Sequence, residues 1–297
     1  MSGSLDGPAL SVVVPTVGRA TRLFLTLSAL CRQVTSDRFE IVLVDDNPTA
    51  PSAAEVVRML DRPDLVRTVV TGGVGVASAR NAGAQAADGR ILLFVDDDTV
   101  ADSTVVDQHL RSHRGTATAV VHGTVVDLTA FTATPDGGPG SRSLAGPRGR
   151  RLDVADLDQL PFATRRLGRR RSFIERAART VADDHRYQSL RWLLCIGTNT
   201  SMSRSLFDSV RGFDRRYDHW GGEDLELGLR LMAAGAQFSR IDAVAYHLPL
   251  ARGDVADTLT DFWHTVAGRH QHPPLARVGE FLRGDLTLDA LADSLVG

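Results

Sequence analysis

Short apolar, β-branched runs alternate with helix-like segments through the first third of the chain, and this alternation constrains the fold more than any other feature. The predicted strands span residues 10–14, 40–44, 65–70 and 91–95, and the predicted helices span residues 21–33, 53–60 and 76–87. Because each strand is a continuous apolar run, the pattern predicts an α/β fold with a mainly parallel sheet that helices cover on both faces. Ligands bind such sheets beyond the carboxyl ends of the strands. The residues that follow the strands are therefore the first candidates for a functional site.

The second half of the chain is less regular. Its predicted elements are a strand at residues 119–128, helices at residues 172–194 and 225–234, a last strand at residues 237–247, and a helical tail over residues 258–297 with an interruption at Pro273 and Pro274. Residues 134–151 are dense in Gly, Pro, Ser and Arg, and we expect a mobile loop there. The pattern predicts one domain over residues 1–250 and a C-terminal helical extension over residues 251–297.

Composition excludes several classes of protein. Of 297 residues, 43% are hydrophobic and 24% are charged, as in a soluble globular chain, and no run reaches the roughly 18 apolar residues of a membrane span. The formal net charge is −2, so we expect no nucleic-acid partner, although the arginine-rich residues 165–171 suit peripheral contact with an anionic membrane surface. All 34 Lys and Arg positions are arginine, which excludes a P-loop lysine and a Schiff-base lysine.

The termini and the cysteines bear on location. Residues 1–8 lack the charged and apolar regions of a signal peptide, which predicts a cytoplasmic location. Cys31 and Cys195 lie in apolar contexts and are predicted to be buried thiols rather than members of a disulfide framework or a metal cluster.

Three consecutive aspartates, Asp96, Asp97 and Asp98, follow the predicted strand at residues 91–95. Like charges this close need a neutralising partner, and a hard divalent cation is the natural one. One alternative is that Asp98 and Thr99 cap a following helix. Another is the nucleophile loop of haloacid-dehalogenase-like phosphatases, with Asp96 and Asp98 as nucleophile and acid. That family usually places this loop on its first strand and uses a downstream lysine, or sometimes an arginine, and this chain has neither that placement nor a lysine.

A second acidic motif lies at residues 217–227, where Trp220, Gly221 and Gly222 precede Glu223 and Asp224. Glycines let the backbone approach a ligand closely, and an aromatic ring supplies a stacking face. A carboxylate at the start of a helix could accept a proton from a hydroxyl group, which makes this motif a candidate catalytic centre. The alternative is an ordinary helix N-terminus with its acidic first turn.

In its motifs the chain resembles a family 2 glycosyltransferase of the GT-A fold. The matching segments, in the family's order, are SVVVPT at 11–16, VDDN at 44–47, GVASARNAG at 75–83, DDD at 96–98, RGFD at 211–214 and GGED at 221–224. They cover about residues 9–250. Each segment alone is modest support, whereas the ordered set is specific.

The resemblance implies an inverting, non-processive enzyme that moves a sugar from a nucleotide-diphosphate donor, a UDP-sugar first of all, to an acceptor hydroxyl. It implies Mn2+ or Mg2+ at the diphosphate, with residues 9–130 as the nucleotide-sugar-binding half and residues 131–250 as the acceptor-binding half. The acceptor stays open between a saccharide, a lipid-linked sugar, a peptide and a small metabolite, and the oligomeric state is not predicted. A non-catalytic nucleotide-sugar-binding protein of the same fold is the alternative function.

Residue roles follow from the same resemblance. The residues implied to contact the nucleotide and its diphosphate are Pro15, Thr16, Asp46, Arg80, Asp96 and Asp97. The remaining implied roles are Asp98 and His247 as metal ligands, Asp224 as the general base, Glu223 as the group that orients the acceptor or the base, and Trp220, Gly221 and Gly222 as the wall of the acceptor and donor site. Three simpler interpretations stay open: a surface ion pair for Arg80, a plain strand end for Pro15 and Thr16, and a structural role for His247.

Overall fold

A nine-stranded mixed sheet lies at the centre of the computed structural model, which describes residues 7–47, 49, 53–132, 134–137, 140–217, 222–250 and 256–296. The strands are β1 (Leu10–Thr16), β2 (Phe39–Asp45), β3 (Val66–Val70), β4 (Ile91–Phe94), β5 (Thr99–Ala101), β6 (Ala119–Leu128), β7 (Ser143–Ala145), β8 (Arg151–Asp153), β9 (Arg169–Arg170), β10 (Thr200–Ser203) and β11 (Gln237–His247). The helices are α1 (Ala20–Cys31), α2 (Ala53–Arg58), α3 (Val76–Ala86), α4 (Val105–Ser112), α5 (Leu160–Ala163), α6 (Phe173–Asp183), α7 (Arg204–Ser209), α8 (Glu223–Ala233), α9 (Ala256–Arg269), α10 (Arg277–Arg283) and α11 (Leu288–Val296).

The order of the strands divides the sheet into two parts. The first part, β3-β2-β1-β4, is parallel throughout, as the alternating pattern predicts. Strand β10 then joins β4 to β6 and is antiparallel to both. Beyond it β11 runs parallel to β6, and the short strand β5 pairs antiparallel with β11. The α/β fold class is confirmed, with an antiparallel insertion that the sequence did not indicate.

Helices cover both faces of the sheet, and alternate side chains of each strand point to opposite faces. In β1, Val12 and Val14 pack in one core with Leu23 of α1. The intervening Val13 packs in the opposite core with Ala84 of α3. This arrangement matches the predicted sandwich of helices around a buried parallel sheet.

The C-terminal helices pack on the main body of the protein. Trp263 of α9 is fully buried, and its ring centroid lies 5.8 Å from that of Trp192. Phe281 of α10 and Leu291 of α11 belong to the same core as Leu227 of α8. The predicted C-terminal extension therefore shares a hydrophobic core with the helix that begins at the GGED motif.

Three local predictions differ from the structure. The predicted helix at residues 172–194 is interrupted, because Asp184 leaves the helical conformation and caps a separate 3₁₀ segment, His185–Leu194. The proposed helix cap at Asp98 and Thr99 is wrong, since Thr99 begins strand β5. The predicted loop at residues 134–151 includes strand β7, which pairs with β8. Its mobility stays a prediction.

The cysteines and the helix lengths agree with the sequence in part. Cys195 is buried, Cys31 is half-buried, and both are free thiols. Burial raises the pKa of Cys31 to about 11. Among the described residues, every helix falls short of the length or the apolar character that a membrane crossing requires.

Candidate active site

The carboxyl ends of β1, β2 and β4 meet at one edge of the sheet because these strands are parallel neighbours. Thr16 ends β1, and its hydroxyl donates a 2.6 Å hydrogen bond to Asp97 in the acidic triplet after β4. Thr16 also accepts a 3.1 Å hydrogen bond from the backbone N–H of Gly18. Thr16 is thus more than a strand end, because it fixes one carboxylate of the triplet. Pro15, one residue earlier, is half-buried.

Asp46 follows β2 and holds the glycine-rich loop at residues 71–75. Its carboxylate accepts three backbone N–H groups of this loop and one hydroxyl group, at 2.7–3.0 Å. Charge-assisted hydrogen bonds of this kind are stronger than neutral ones. They fix the start of α3, which carries Arg80. The contact of Asp46 with a nucleotide stays a prediction, and the structure adds this positioning role.

Arg80 joins the two acidic motifs. Its side chain donates to Asp96 at 2.8 Å and to Glu223 at 2.7 Å, and the residue is only 3% exposed. Burial lowers the pKa of Arg80, but the surrounding carboxylates outweigh burial and raise this pKa above its ordinary value. The interpretation of Arg80 as a surface residue is wrong, because its side chain is buried. The ion pairs that this interpretation also predicted are present.

Asp224 lies in the first turn of α8, next to Glu223. One of its oxygens accepts from the backbone N–H of Gly197 at 2.6 Å, and the other accepts from that of Leu225 at 2.8 Å. Burial raises the pKa of Asp224 to about 7, and repulsion from Glu223 adds to the shift. A carboxylate with a pKa near neutrality can accept a proton from a hydroxyl group at physiological pH. The alternative interpretation, an acidic first turn at an ordinary helix N-terminus, also fits the position of Asp224. That position is compatible with a role as a base.

Gly222 precedes this pair and caps α8 with a left-handed backbone conformation, φ 116°. A side chain is strained there, and a Cβ atom would also lie 2.9 Å from the ring of Phe262. The glycine is therefore required at this turn. Trp220 and Gly221, which we predicted to form the wall of the site, lie outside the described residues.

Asp98 and His247 lie together because β5 and β11 are paired. Thr99 opposes His247 in this ladder, and the backbone N–H of Leu248 donates to the carbonyl of Asp98 at 2.8 Å. The Nε2 atom of His247 lies 3.6 Å from Oδ2 of Asp98. Its Nδ1 atom lies 2.9 Å from Oδ1 of Asp127. Residues far apart in the sequence thus converge on one carboxylate.

The charges around Asp98 are balanced by cations. Arg19 donates to Asp98 at 2.8 Å and to Asp97 at 3.0 Å. Burial lowers the pKa of His247, but the carboxylates of Asp98 and Asp127 outweigh burial and raise this pKa to about 10. At neutral pH His247 is therefore a cation beside Asp98, and it would have to lose its proton before it could bind a metal ion.

The donor set fits a hard divalent ion. Carboxylate groups suit Mn2+ and Mg2+ sites, and a histidine that ligates a metal usually donates its other ring N–H to a carboxylate. Asp127 is such a carboxylate for His247, because it contacts the Nδ1 atom of this ring. In the described part of the chain, no group of three or more His, Cys, Asp or Glu side chains is placed to hold a metal. A bound diphosphate and water would supply further oxygen ligands of such an ion.

A cavity of about 270 Å3 opens beside Asp224. Glu223 and Asp224 line one side of it. The other lining residues include the apolar side chains of Phe173, Ile174, Ile196, Leu225, Leu259 and Leu282. The C-terminal helices α9 and α10 supply the last two of these residues, so they contribute to the site as well as to the core.

Three residues of the site were missed by sequence reasoning. They are Arg19, Asp127 and Gly197. Arg19 carried a weak signal, since it follows Pro15 and Thr16 by a few residues. Gly197 acts through its backbone N–H, and a Cβ atom there would lie 2.7 Å from Nη2 of Arg80 and 3.0 Å from Oδ2 of Asp224. Asp127 is recognisable only once β6 and β11 are paired.

Comparisons with known proteins identify the family of this chain. The family model described as glycosyl transferase family 2 matches residues 11–176, more than half of the chain. The chain belongs to glycosyl transferase family 2. A second family model, described as the N-terminal domain of galactosyltransferase, matches residues 178–250 of this family 2 chain. The first match includes the acidic triplet, so the phosphatase alternative has no support.

Named relatives share this family. The chain is 35% identical over 237 residues to validoxylamine A glucosyltransferase of Streptomyces hygroscopicus subsp. jinggangensis, an alignment that covers 77% of this chain and 52% of the relative. It is 25% identical over 270 residues to chondroitin synthase of Escherichia coli, covering 82% and 35% respectively. The chain thus spans about half the length of the first of these relatives and less of the second.

Solved structures share the fold. TarS of S. aureus, residues 1–349 in complex with UDP, superposes with a TM-score of 0.54 at 17% sequence identity. That superposition covers 96% of this chain and 69% of the other chain. At this identity the likeness shows the fold alone, and the fold is that of the GT-A transferases.

Proposed function

We propose that this chain transfers a sugar from a UDP-sugar to an acceptor hydroxyl group with inversion of the anomeric centre, and that Asp224 is the general base. The observation that carries the proposal is the buried position of Arg80. Its single guanidinium group contacts Asp96 on the nucleotide side and Glu223 on the base side. The two acidic motifs are therefore edges of one site rather than separate surfaces.

The reaction is one in-line displacement. The acceptor oxygen attacks the anomeric carbon of the donor, the bond from that carbon to the diphosphate oxygen breaks, and Asp224 takes the proton of the attacking hydroxyl group. The pKa of Asp224 is raised to about 7. This carboxylate is therefore a stronger base than an ordinary aspartate, and it is still partly ionised at neutral pH. Glu223, held by Arg80 at 2.7 Å, fixes the start of α8 and so orients Asp224.

Asp98 and His247 would hold a divalent ion, Mn2+ or Mg2+, at the diphosphate. When bound, such an ion supplies positive charge that offsets the charge on the departing nucleotide diphosphate. Because the chain has no lysine, arginine has to supply any positive charge that its strongly basic side chains contribute at the diphosphate. Arg19 already neutralises Asp97 and Asp98 and lies next to Thr16 at the end of β1.

Two comparisons bear on the donor. A solved structure of the same fold, TarS, is in complex with UDP. The relative at 35% identity is named validoxylamine A glucosyltransferase. UDP-glucose is therefore the first donor to test on this chain.

The test is release of UDP from a panel of nucleotide sugars, with and without Mn2+. We expect release from one donor that depends on the ion, and a rise in melting temperature with UDP plus Mn2+. A thermal shift without UDP release from any donor would instead favour the non-catalytic nucleotide-sugar-binding alternative. Absence of both effects would contradict the proposal.

A further inference from the structure

The cavity beside Asp224 combines a polar edge with an apolar interior. Glu223 and Asp224 form the edge, and most of the remaining wall is aliphatic or aromatic. Phe173, at the start of α6, is 37% exposed and packs against Phe281 at a ring distance of 5.0 Å. The cavity therefore offers an apolar surface to a ligand directly beside two carboxylates.

Charge narrows the class of ligand. No arginine or histidine lines this cavity among the residues that the structure describes. An anionic group placed there would lie against Glu223 and Asp224, and Arg80, which pairs with Glu223, is already engaged on its other side by Asp96. The lining therefore disfavours a phosphorylated or carboxylated acceptor and favours a neutral one.

Size narrows the class further. A volume of about 270 Å3 is close to the lower end, roughly 300 Å3, of pockets that hold small molecules. It accepts a ring or a short branched chain and is too small for a long acyl chain. The polar edge is where the reacting hydroxyl group has to lie if Asp224 is the base.

We propose that the acceptor is a neutral alcohol with an apolar, ring-sized body, and that this body occupies the cavity formed by Phe173, Ile174, Ile196, Leu225, Leu259 and Leu282. The inference rests on the proposed function, because it places the acceptor hydroxyl at Asp224. It adds the chemical class of the acceptor. The C-terminal helices α9 and α10 take part in acceptor selection, since they supply Leu259 and Leu282.

The experiment uses three ring compounds of similar shape: cyclohexanol, myo-inositol and cyclohexyl phosphate. Their binding to the full chain, saturated with UDP and Mn2+, is measured by ligand-observed NMR. We expect cyclohexanol to bind at least about tenfold more tightly than either of the others, as burial of several apolar carbons implies. Equal affinities, tighter binding of myo-inositol or of cyclohexyl phosphate, or no binding of any probe would overturn the inference.

Variants locate the binding. Phe173→Ala and Leu259→Ala should each weaken cyclohexanol binding by about tenfold, since removal of apolar pocket atoms has effects of this order. The matched control is Phe162→Ala, because Phe162 is 65% exposed and does not line the cavity. Two wall positions are used so that poor folding of one variant does not decide the result. An unchanged affinity in both folded wall variants would contradict the assignment.

UDP release by the same samples separates the two proposals. If UDP release depends on Asp224 but cyclohexanol binds no more tightly than the other two compounds, the inference fails and the transferase function stands. If the probes bind as expected and no donor releases UDP, the pocket assignment stands and the proposed function fails.

Discussion

The acidic triplet after β4 and the acidic pair at the start of α8 have similar residues and different surroundings. The oxygens of the triplet face side-chain cations: Arg80 contacts Asp96, and Arg19 contacts Asp97 and Asp98. The oxygens of Asp224 accept backbone N–H groups, from Gly197 and Leu225. Hydrogen bonds from backbone N–H groups favour the ionised carboxylate, so the raised pKa of Asp224 comes from burial and from repulsion by Glu223 and not from these bonds. The two motifs therefore differ in the groups that hold them, side-chain cations at the triplet and backbone amides at Asp224.

A raised pKa alone does not identify the base. Burial raises the pKa of Asp97 to about 7 as well. Both oxygens of Asp97 are bonded to side chains, however, one to Arg19 and one to Thr16, and the residue is only 4% exposed. Asp224 lines an open cavity. Access to a ligand, rather than the pKa, distinguishes the two groups.

The largest expected effect is that of Asp224→Asn. Loss of the base should lower kcat by about a thousandfold, within the range that general-base catalysis contributes. The affinity for UDP with Mn2+ should change by less than about threefold, since the triplet is untouched, which calorimetry would measure. Asp242→Asn is the control, because the Asp242 side chain is 89% exposed. Joint loss of turnover and nucleotide binding would mean that Asp224 is structural.

The pH profile tests the same carboxylate without mutation. Below its pKa of about 7, Asp224 is protonated and cannot accept a proton. We therefore expect kcat/KM to fall towards tenfold per pH unit well below this value, or about fiftyfold from pH 7 to pH 5. The sign follows from a raised carboxyl pKa: activity is present above it and lost as the pH falls. A profile that stays flat down to pH 5 would rule out this assignment of the base.

Asp127→Asn tests the cation-binding side of the comparison. Asp127 holds Nδ1 of His247 at 2.9 Å, and outer carboxylates of this kind contribute about 10-fold to 100-fold to metal affinity. We expect the Mn2+ concentration for half-maximal activity to rise by about tenfold, with kcat at saturating Mn2+ nearly unchanged. Electron paramagnetic resonance of free Mn2+ provides a readout that is independent of turnover. An unchanged Mn2+ affinity would assign His247 a structural role.

Sequence reasoning reached the parts of this site that depend on pattern. Strand periodicity predicted the parallel half of the sheet, and the ends of those strands supplied Thr16, Asp46 and the triplet. The ordered motifs supplied Arg80 and Asp224. These residues are recognisable because a period of apolar residues or a short motif marks each of them.

The remaining parts depend on long-range pairing. Strand β10 is short and polar, with the sequence TSMS, and β5 has only three residues, so neither has a detectable period. The contact of Asp127 with His247 requires the register between β6 and β11. Gly197 acts through a backbone N–H, which any residue carries, and thus leaves no mark in its side-chain chemistry.

Gly197→Ala is expected to have the smallest effect, and it tests whether backbone packing holds the two acidic motifs together. The new Cβ atom would lie 2.7 Å from Nη2 of Arg80 and 3.0 Å from Oδ2 of Asp224. Arg80 cannot move freely, because ion pairs hold it on both sides. We expect Asp224 to shift and kcat to fall by about threefold, well below the roughly hundredfold cost of misplacing a catalytic group by 1 Å.

The matched control is Gly268→Ala in α9, where a Cβ atom meets no other atom within 4 Å. Alanine in a helix interior is favoured over glycine by about 0.5–1 kcal/mol, so this variant should keep full activity and melt at the same temperature or higher. If Gly197→Ala behaves like Gly268→Ala, the hydrogen bond from Gly197 to Asp224 does not set the position of the base. The contrast between cation-held and amide-held carboxylates would then describe the resting structure and not the catalytic one.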